Sequence, residues 1–168
     1  MLPQLLRKAG MKNYVYLRPS RDAEKKDLPE SSLHYWNSSD GSSVTAFHIL
    51  DGYGDDLRDE RVARYEKQDH SQMLFYGIGN HGGGPAKEHL KQAEKLIEMG
   101  NSVYSGVDEF FDYVRENETD DIPTVNEDLQ HHASGCYSAN SKIKKLNREA
   151  ENELIYACLL YTSPSPRD

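Results

Sequence analysis

The chain has 168 residues, a formal net charge of -8 and a mean hydropathy of -0.83. Hydrophobic residues make up 36% of it, and no apolar run approaches the roughly 20 residues that a membrane span needs. The acidic balance argues against nucleic-acid binding, because neutralising phosphates requires clustered Lys and Arg. We therefore exclude membrane and nucleic-acid partners and expect a small neutral or cationic substrate.

Two cysteines, Cys136 and Cys158, are present. They are too few for a disulfide framework, which indicates a reducing compartment. The first ten residues also lack the charged start, apolar middle and cleavage site of a secretory leader. We expect a cytoplasmic protein.

The first residues predict a short helix. Pro3 suits its first turn, and Gly10 suits its end. Three apolar residues are predicted to share one face of this helix: Leu2, Leu5 and Leu6.

Short strands and helices then alternate. Strands are predicted over residues 13–18, 44–50, 73–79 and, as a short candidate, 103–104. The run at 33–36 precedes an Asp40-Gly41 turn signal. Apolar residues recur at helical spacing over residues 57–67, 85–99 and 107–115, which predicts three helices. This alternation predicts a parallel sheet of the α/β type.

The composition changes after residue 116. An acidic, polar linker over residues 116–121 indicates a domain boundary. Residues 138–157 then predict one long helix of a helical bundle. Residues 158–168 break that pattern and look like the translated adapter of a metagenomic sequencing library, so we exclude them from fold reasoning.

The segment 73–88, MLFYGIGNHGGGPAKE, contains five glycines between an apolar run and a charged helix. Such a loop places Asn80 and His81 at the carboxyl end of a strand, where α/β proteins hold ligands. We interpret it as a binding or catalytic loop. The alternative is a tight connection whose glycines only satisfy turn geometry.

The same loop also matches G-x-G-x-x-G at Gly77, Gly79 and Gly82, which would favour a dinucleotide site. The match is weak because the acidic residue expected further on is not clearly placed, and Pro85 reshapes the helix start. A non-enzymatic or dinucleotide-binding α/β module that uses residues 77–84 stays open as an alternative.

Other candidates lie outside this loop. Adjacent histidines, His131 and His132, could offer one imidazole to a metal while the other makes a structural hydrogen bond, or they could be polar surface. His132 and Cys136 could form a nucleophile pair, but no third orienting group is evident. Arg18 could bind a carboxylate or be a solvated strand end.

Two of these motifs together resemble a known family. FYGIGNHGGGPAKE, followed later by PTVNEDLQHHASGCYSANSKIKKLNREAE, is similar to the bacterial branch of glycoside hydrolase family 38, the retaining α-mannosidases. The opening LPQLLRKAGMKNYVYLRP looks like the part just downstream of that family's catalytic aspartate. The resemblance covers residues 1–157.

The resemblance implies a fold and a division into domains. Residues 1–116 would be the C-terminal part of a β/α-barrel-like catalytic domain, and residues 117–157 the start of a helical-bundle middle domain. It also implies a bacterial, cytoplasmic parent protein, which could be a homo-oligomer, and an α-mannoside oligosaccharide as substrate.

The resemblance further implies a Zn²⁺ cofactor and several site residues. The zinc would be held by a His-x-Asp motif, the nucleophilic aspartate and a histidine that corresponds to His132. Arg18 falls where the family has an active-site arginine. Trp36 matches an aromatic near the same site, where it could be a sugar-stacking platform or a core residue.

Asn80 and His81 lie where related enzymes often carry an aspartate. Asn80 cannot donate a carboxyl proton, so His81 could substitute as the acid/base. The nucleophile and the His-x-Asp motif should precede Met1. Because retaining hydrolysis needs both a nucleophile and an acid/base, we expect the parent protein to hydrolyse terminal α-D-mannosides and this chain alone to be inactive.

Overall fold

A computed structural model of the chain describes residues 2–19, 28–79, 82–129 and 140–162. It divides into two compact units, Met1–Leu129 and Gln130–Asp168. Within the described residues, the first unit holds one sheet and four helices, and the second unit holds a single helix. The α/β class predicted from the sequence is therefore found in the first unit.

The helices of the first unit lie where apolar periodicity predicts them. They are α1 Leu2–Lys8, α2 Asp59–Tyr65, α3 Lys87–Glu98 and α4 Val107–Asn117. Gly10 and Gly100, just beyond α1 and α3, have φ values of 83° and 81°. Glycine takes this left-handed conformation without a Cβ clash, which explains why these helices end there.

The sheet has four strands in the order β1-β3-β2-β4. They are β1 Asn13–Tyr16, β2 Leu33–Asn37, β3 Ser43–His48 and β4 Thr124–Val125. β1 runs parallel to β3 and β4 runs parallel to β2, but β2 and β3 are antiparallel. The prediction of a parallel sheet is thus wrong for the central pair, because the Asp40-Gly41 turn joins β2 and β3 as a hairpin.

Two segments predicted as strands, residues 73–79 and 103–104, lie outside this sheet. The amide of Gly77 donates to the Asp55 carbonyl oxygen at 2.9 Å, and the amide of Ile78 donates to the Gly84 carbonyl oxygen at 3.0 Å. These backbone groups therefore bond to loops rather than to a neighbouring strand. Val103 is 81% exposed, as expected for a connecting segment.

Each face of the sheet carries an apolar layer, because successive strand residues point to opposite faces. One layer joins the sheet to α4 and contains Leu33, Phe47, Ile49, Phe110, Phe111, Val114 and Ile122. The other contains Tyr16, Trp36, Val44, Ala46, Val125 and Leu129, against which Leu2 and Leu6 of α1 pack. Leu5, which was predicted on the same face as Leu2 and Leu6, is 62% exposed.

The first unit continues past the acidic linker. Ile122 lies in the core, and Val125 of β4 is in register with Trp36 of β2. The change of composition at residue 116 therefore does not coincide with the end of this unit. The assignment of residues 117–157 to a helical middle domain stays a prediction.

The second unit contains helix α5, Ser141–Thr162. This helix continues through Cys158 to Thr162. The prediction that the helical pattern breaks after residue 157 is therefore wrong for residues 158–162. Several of its apolar side chains are exposed, among them Ile143, Leu154 and Leu160. Of the helices that the structure describes, none has the length and apolar character needed to cross a bilayer.

Candidate functional site

The carboxyl ends of β1 and β3 lie side by side, because the two strands are parallel and Tyr16 is in register with His48. Ligands of α/β proteins commonly bind at this edge. Arg18 follows β1 here, and Asp51 follows β3. We therefore take this edge as the candidate site.

Arg18 is exposed, and the Arg18-Pro19 peptide bond is cis. The carbonyl oxygen of Leu17, directly before Arg18, lies 3.2 Å from His48 Nε2. Since a carbonyl oxygen only accepts, the imidazole N–H must donate. This bond from the buried His48 fixes the backbone beside Arg18 while the guanidinium stays open to a ligand.

A buried hydrogen-bonded pair, Tyr16 and His34, also stabilises this edge of the sheet. Tyr16 Oη lies 3.1 Å from His34 Nε2, and His34 Nδ1 lies 3.2 Å from the Ser32 carbonyl oxygen. The proton of a neutral His34 therefore sits on Nδ1, and the Tyr16 hydroxyl donates to Nε2. The ring of Tyr16 also stacks on His48 at 4.7 Å. These contacts order the ends of β1 and β3.

Trp36 lies in the core rather than at the surface. It is 2% exposed, and its indole Nε1 donates to the Glu127 carbonyl oxygen at 2.9 Å. Its ring packs beside Tyr14 at 5.7 Å. Of the two roles considered from the sequence, this burial supports the core role, and a sugar-stacking role has no exposed ring face to use.

Asp51 is the centre of a cluster that sequence reasoning missed. Its carboxylate accepts a hydrogen bond from Tyr65 Oη at 2.5 Å, from Arg61 Nε and Nη2 at 3.2 Å each and from Arg64 Nη2 at 2.7 Å. Burial raises the pKa of Asp51, but the hydrogen bonds from Arg61 and Tyr65 outweigh it, so the pKa lies below 3.8. The carboxylate is therefore ionised at neutral pH.

Arg61 links this carboxylate to the backbone of two segments. Its Nη2 donates to the carbonyl oxygens of Phe75 at 2.7 Å and Gly52 at 3.3 Å, and its Nη1 donates to that of Asp56 at 2.9 Å. Its side chain is only 4% exposed. One signal was available in the sequence: Leu57, Arg61 and Tyr65 recur every four residues, which places Arg61 on the buried face of α2.

The glycine loop (residues 77–84) meets the exit loop (residues 50–58, which lead from the end of β3 to α2). A Cβ built on Gly54 would lie 2.8 Å from Gly79 Cα, so the two backbones are in contact. Tyr53 and Ile78, beside this contact, are 57% and 56% exposed. The glycine loop is thereby joined to the loop that leaves β3, where Asp51 lies.

Several predicted site residues lie outside the described part of the chain. They are Asn80, His81, His131, His132 and Cys136. Their roles in acid/base chemistry, metal binding and nucleophilic attack stay predictions. Among the residues that the structure describes, no group of three His, Cys, Asp or Glu side chains is placed to hold a metal ion.

The structure does not support the dinucleotide-binding alternative. The G-x-G-x-x-G fingerprint requires a strand directly before the first glycine. Residues 73–76, which precede Gly77, belong to no strand. The glycine loop therefore does not form the strand, loop and helix unit on which that alternative depends.

Residues 1–128 match the family model described as "Glycosyl hydrolases family 38 N-terminal domain". The chain belongs to glycoside hydrolase family 38. The resemblance drawn from the glycine loop and the paired histidines is thereby confirmed at the level of the family. The sheet and helices of the first unit are consistent with part of that N-terminal domain, whereas a barrel is not shown.

Two relatives of this family 38 chain are called α-mannosidases. The "Alpha-mannosidase" of Saccharomyces cerevisiae is 29% identical over 174 residues, which cover 91% of this chain and 16% of the yeast protein. The "Alpha-mannosidase G" of Dictyostelium discoideum is 28% identical over 166 residues, which cover 91% of this chain and 15% of that protein. The chain spans about one sixth of the length of these relatives.

Proposed function

We propose that the longer protein to which this chain belongs hydrolyses terminal α-D-mannosides in oligosaccharides with retention of configuration, and that this chain alone does not. The observation that carries the proposal is the family 38 match over residues 1–128. The names of the two relatives support α-mannosides as the substrate class. Because the chain spans about one sixth of their length, the activity is proposed for the whole protein.

Arg18 is the substrate-binding residue best supported by its surroundings. It is exposed at the carboxyl end of β1, and the bond from His48 to Leu17 orders the backbone beside it. A guanidinium presents five N–H donors and no acceptor. It would therefore hydrogen-bond to the hydroxyl oxygens of a mannoside at this edge.

The glycine loop would supply the proton donor. Retaining glycoside hydrolysis uses one group as nucleophile and another as acid and then base. Asn80 cannot donate a carboxyl proton, whereas an imidazole such as that of His81 can both donate and accept a proton. In this proposal His81 protonates the leaving glycosidic oxygen, and the nucleophilic aspartate comes from outside this chain.

His132 is the residue of this chain that would bind zinc. Zn²⁺ binds histidine nitrogen and carboxylate oxygen, so one histidine from this chain fits such a donor set as a single member. The described residues offer no group of three ligands, and the other ligands would come from elsewhere in the protein. When bound, the zinc would orient the sugar hydroxyls and act as a Lewis acid.

The proposal is tested with the complete protein and this 168-residue chain side by side. We expect the complete protein to hydrolyse p-nitrophenyl α-D-mannoside and this chain to show no turnover. Proton NMR should detect the α-anomer as the first product, since the reaction retains configuration. His132→Ala in the complete protein should lower both zinc content and activity, whereas His131→Ala is the matched control from the neighbouring position.

Distinct results would overturn separate parts of the proposal. A complete protein that leaves α-mannosides intact would contradict the substrate class, and turnover by the 168-residue chain would contradict its inactivity. Unchanged zinc content in His132→Ala would remove this histidine from the metal site without affecting the substrate assignment.

A further inference from the structure

The guanidinium of Arg61 holds together two segments that are separate in sequence. It donates to the carbonyl oxygens of Gly52 and Asp56 in the exit loop and to that of Phe75, two residues before the glycine loop. A guanidinium can make such contacts at once because its donors are fixed in a planar fork. A lysine ammonium has one nitrogen and cannot reach all three carbonyl oxygens together with a carboxylate.

The charge of Arg61 is balanced inside the same cluster. With its side chain 4% exposed, this cation would be costly without a partner. The Asp51 carboxylate supplies that partner through bonds to Nε and Nη2. Tyr65 and Arg64 bond to the same carboxylate, so Asp51 has a fixed orientation from which Arg61 can reach the backbone.

Further contacts extend the connection to the glycine loop itself. The Gly77 amide donates to the Asp55 carbonyl oxygen, and Gly54 lies against Gly79. The Leu57 amide donates to Gln92 Oε1 of α3 at 2.9 Å, which ties the exit loop to the helix that follows the glycine loop. The residues on both sides of the glycine loop thus contact the same exit loop.

We propose that Arg61 is a positioning residue, which fixes the described parts of the loop that carries Asn80 and His81 in its sequence, residues 77–79 and 82–84, to the exit loop. The link between the two loops follows from contacts within this chain. The role of Asn80 and His81 rests on the proposed function. Arg61 itself would touch neither sugar nor metal.

Amide hydrogen exchange in the 168-residue chain tests this link. The amides of Gly77 and Ile78, which bond to Asp55 and Gly84, report on the glycine loop, and the amide of Ile49, which bonds to Tyr16, reports on the sheet. In Arg61→Lys we expect exchange at Gly77 and Ile78 to accelerate by about tenfold or more, while exchange at Ile49 changes far less.

Arg64→Lys is the matched control. Arg64 lies on the same helix and bonds to the same Asp51 carboxylate, but its side chain is 61% exposed. We expect this variant to keep wild-type exchange at all three reporter amides, because surface ion pairs contribute little. Equal acceleration of all three amides in Arg61→Lys, together with a loss of stability in urea unfolding, would show a global effect and would contradict the proposal.

The following exchange results would contradict the proposal. Wild-type exchange at Gly77 and Ile78 in Arg61→Lys would overturn the proposal, as would equal acceleration in the Arg64→Lys control. If Arg61→Lys does not fold, Asp51→Asn tests the same link, because it frees the Arg61 guanidinium from its anchor and should also accelerate exchange in the glycine loop first. Retained protection there would contradict the proposal. None of these measurements involves mannoside or zinc, so their failure is distinct from failure of the proposed function.

Discussion

Gly54 and Gly79 touch through their backbones, with 2.8 Å between Gly79 Cα and the position that a Cβ on Gly54 would take. Real Cβ contacts are not that short, so any side chain at residue 54 must push the two loops apart. The absence of a side chain at Gly54 is therefore a condition for the observed position of the glycine loop.

We predict that Gly54→Ala destabilises the first unit by about 1–3 kcal/mol, because overpacking forces the backbone to shift. Urea unfolding followed by circular dichroism measures the change. Gly84→Ala is the control, since nothing lies within 4 Å of a Cβ at that position. Equal stability of Gly54→Ala and the wild type would show that the two loops do not meet in solution.

Asp51 should make the stability of the first unit sensitive to acid. Its pKa in the folded chain lies below 3.8, so its contribution is complete above pH 3.8 and is lost as the pH falls below that value. We predict that Asp51→Asn lowers the free energy of unfolding at pH 7 by about 3 kcal/mol, because Arg61 keeps a buried charge without its partner. The difference from the wild type should shrink between pH 4 and pH 2.

Urea unfolding at pH 7, 4 and 2 follows this dependence. Asp55→Asn is a suitable control, because the Asp55 side chain is 56% exposed. A constant difference between Asp51→Asn and the wild type over this pH range would contradict the assignment of the acid effect to Asp51.

We expect the contribution of Tyr65 to the free energy of unfolding to have the opposite pH dependence. Burial and then its hydrogen bond to Asp51 raise the pKa of Tyr65 above 10.0. Its hydroxyl therefore stays neutral in the folded chain when the unfolded chain has already ionised, and its contribution is present below pH 10 and lost above it. We predict that Tyr65→Phe costs about 1–2 kcal/mol at pH 7 and loses less stability than the wild type between pH 9 and pH 11.

Thermal unfolding at these two pH values provides the comparison for Tyr65. Tyr113→Phe, at a residue that is 51% exposed, serves as the control. Identical alkaline slopes for the wild type and Tyr65→Phe would mean that the Tyr65 hydroxyl is ionised or solvated.

Trp36 is the one tryptophan of the chain, so its fluorescence reports its environment directly. Because it is 2% exposed, we predict a blue-shifted emission, weak quenching by iodide and no change on addition of methyl α-D-mannoside. Unfolding in urea should restore full quenching. Strong quenching in the folded chain would place the ring at the surface and revive the stacking role.

The elements that sequence predicted well are those whose signals are local. Gly10 and Gly100 mark helix ends through a backbone conformation that a single residue determines. The long-range contacts were harder to predict. Residues 73–79 have the composition of a strand, but pairing depends on a free neighbouring strand, and here Gly77 and Ile78 bond to loops.

The site shows the same division. Arg18 was predicted as a substrate-binding residue because it lies at the end of a strand, and the structure places it two residues after β1. Arg61 was missed because its partners, Asp51 and Phe75, come from 10 and 14 residues away, and an arginine on an amphipathic helix usually faces solvent. Trp36 could be assigned to core or site only once its 2% exposure was known.

The order β1-β3-β2-β4 has a consequence for how the sheet assembles. The hairpin of β2 and β3 closes through Asp40, whose carboxylate accepts from the amide and hydroxyl of Ser42. Hairpins form within about 1–10 μs, whereas the Trp36 bond to Glu127 joins residues 91 positions apart. We expect the hairpin to nucleate the sheet, with β1 adding to one side and β4 closing the other side last.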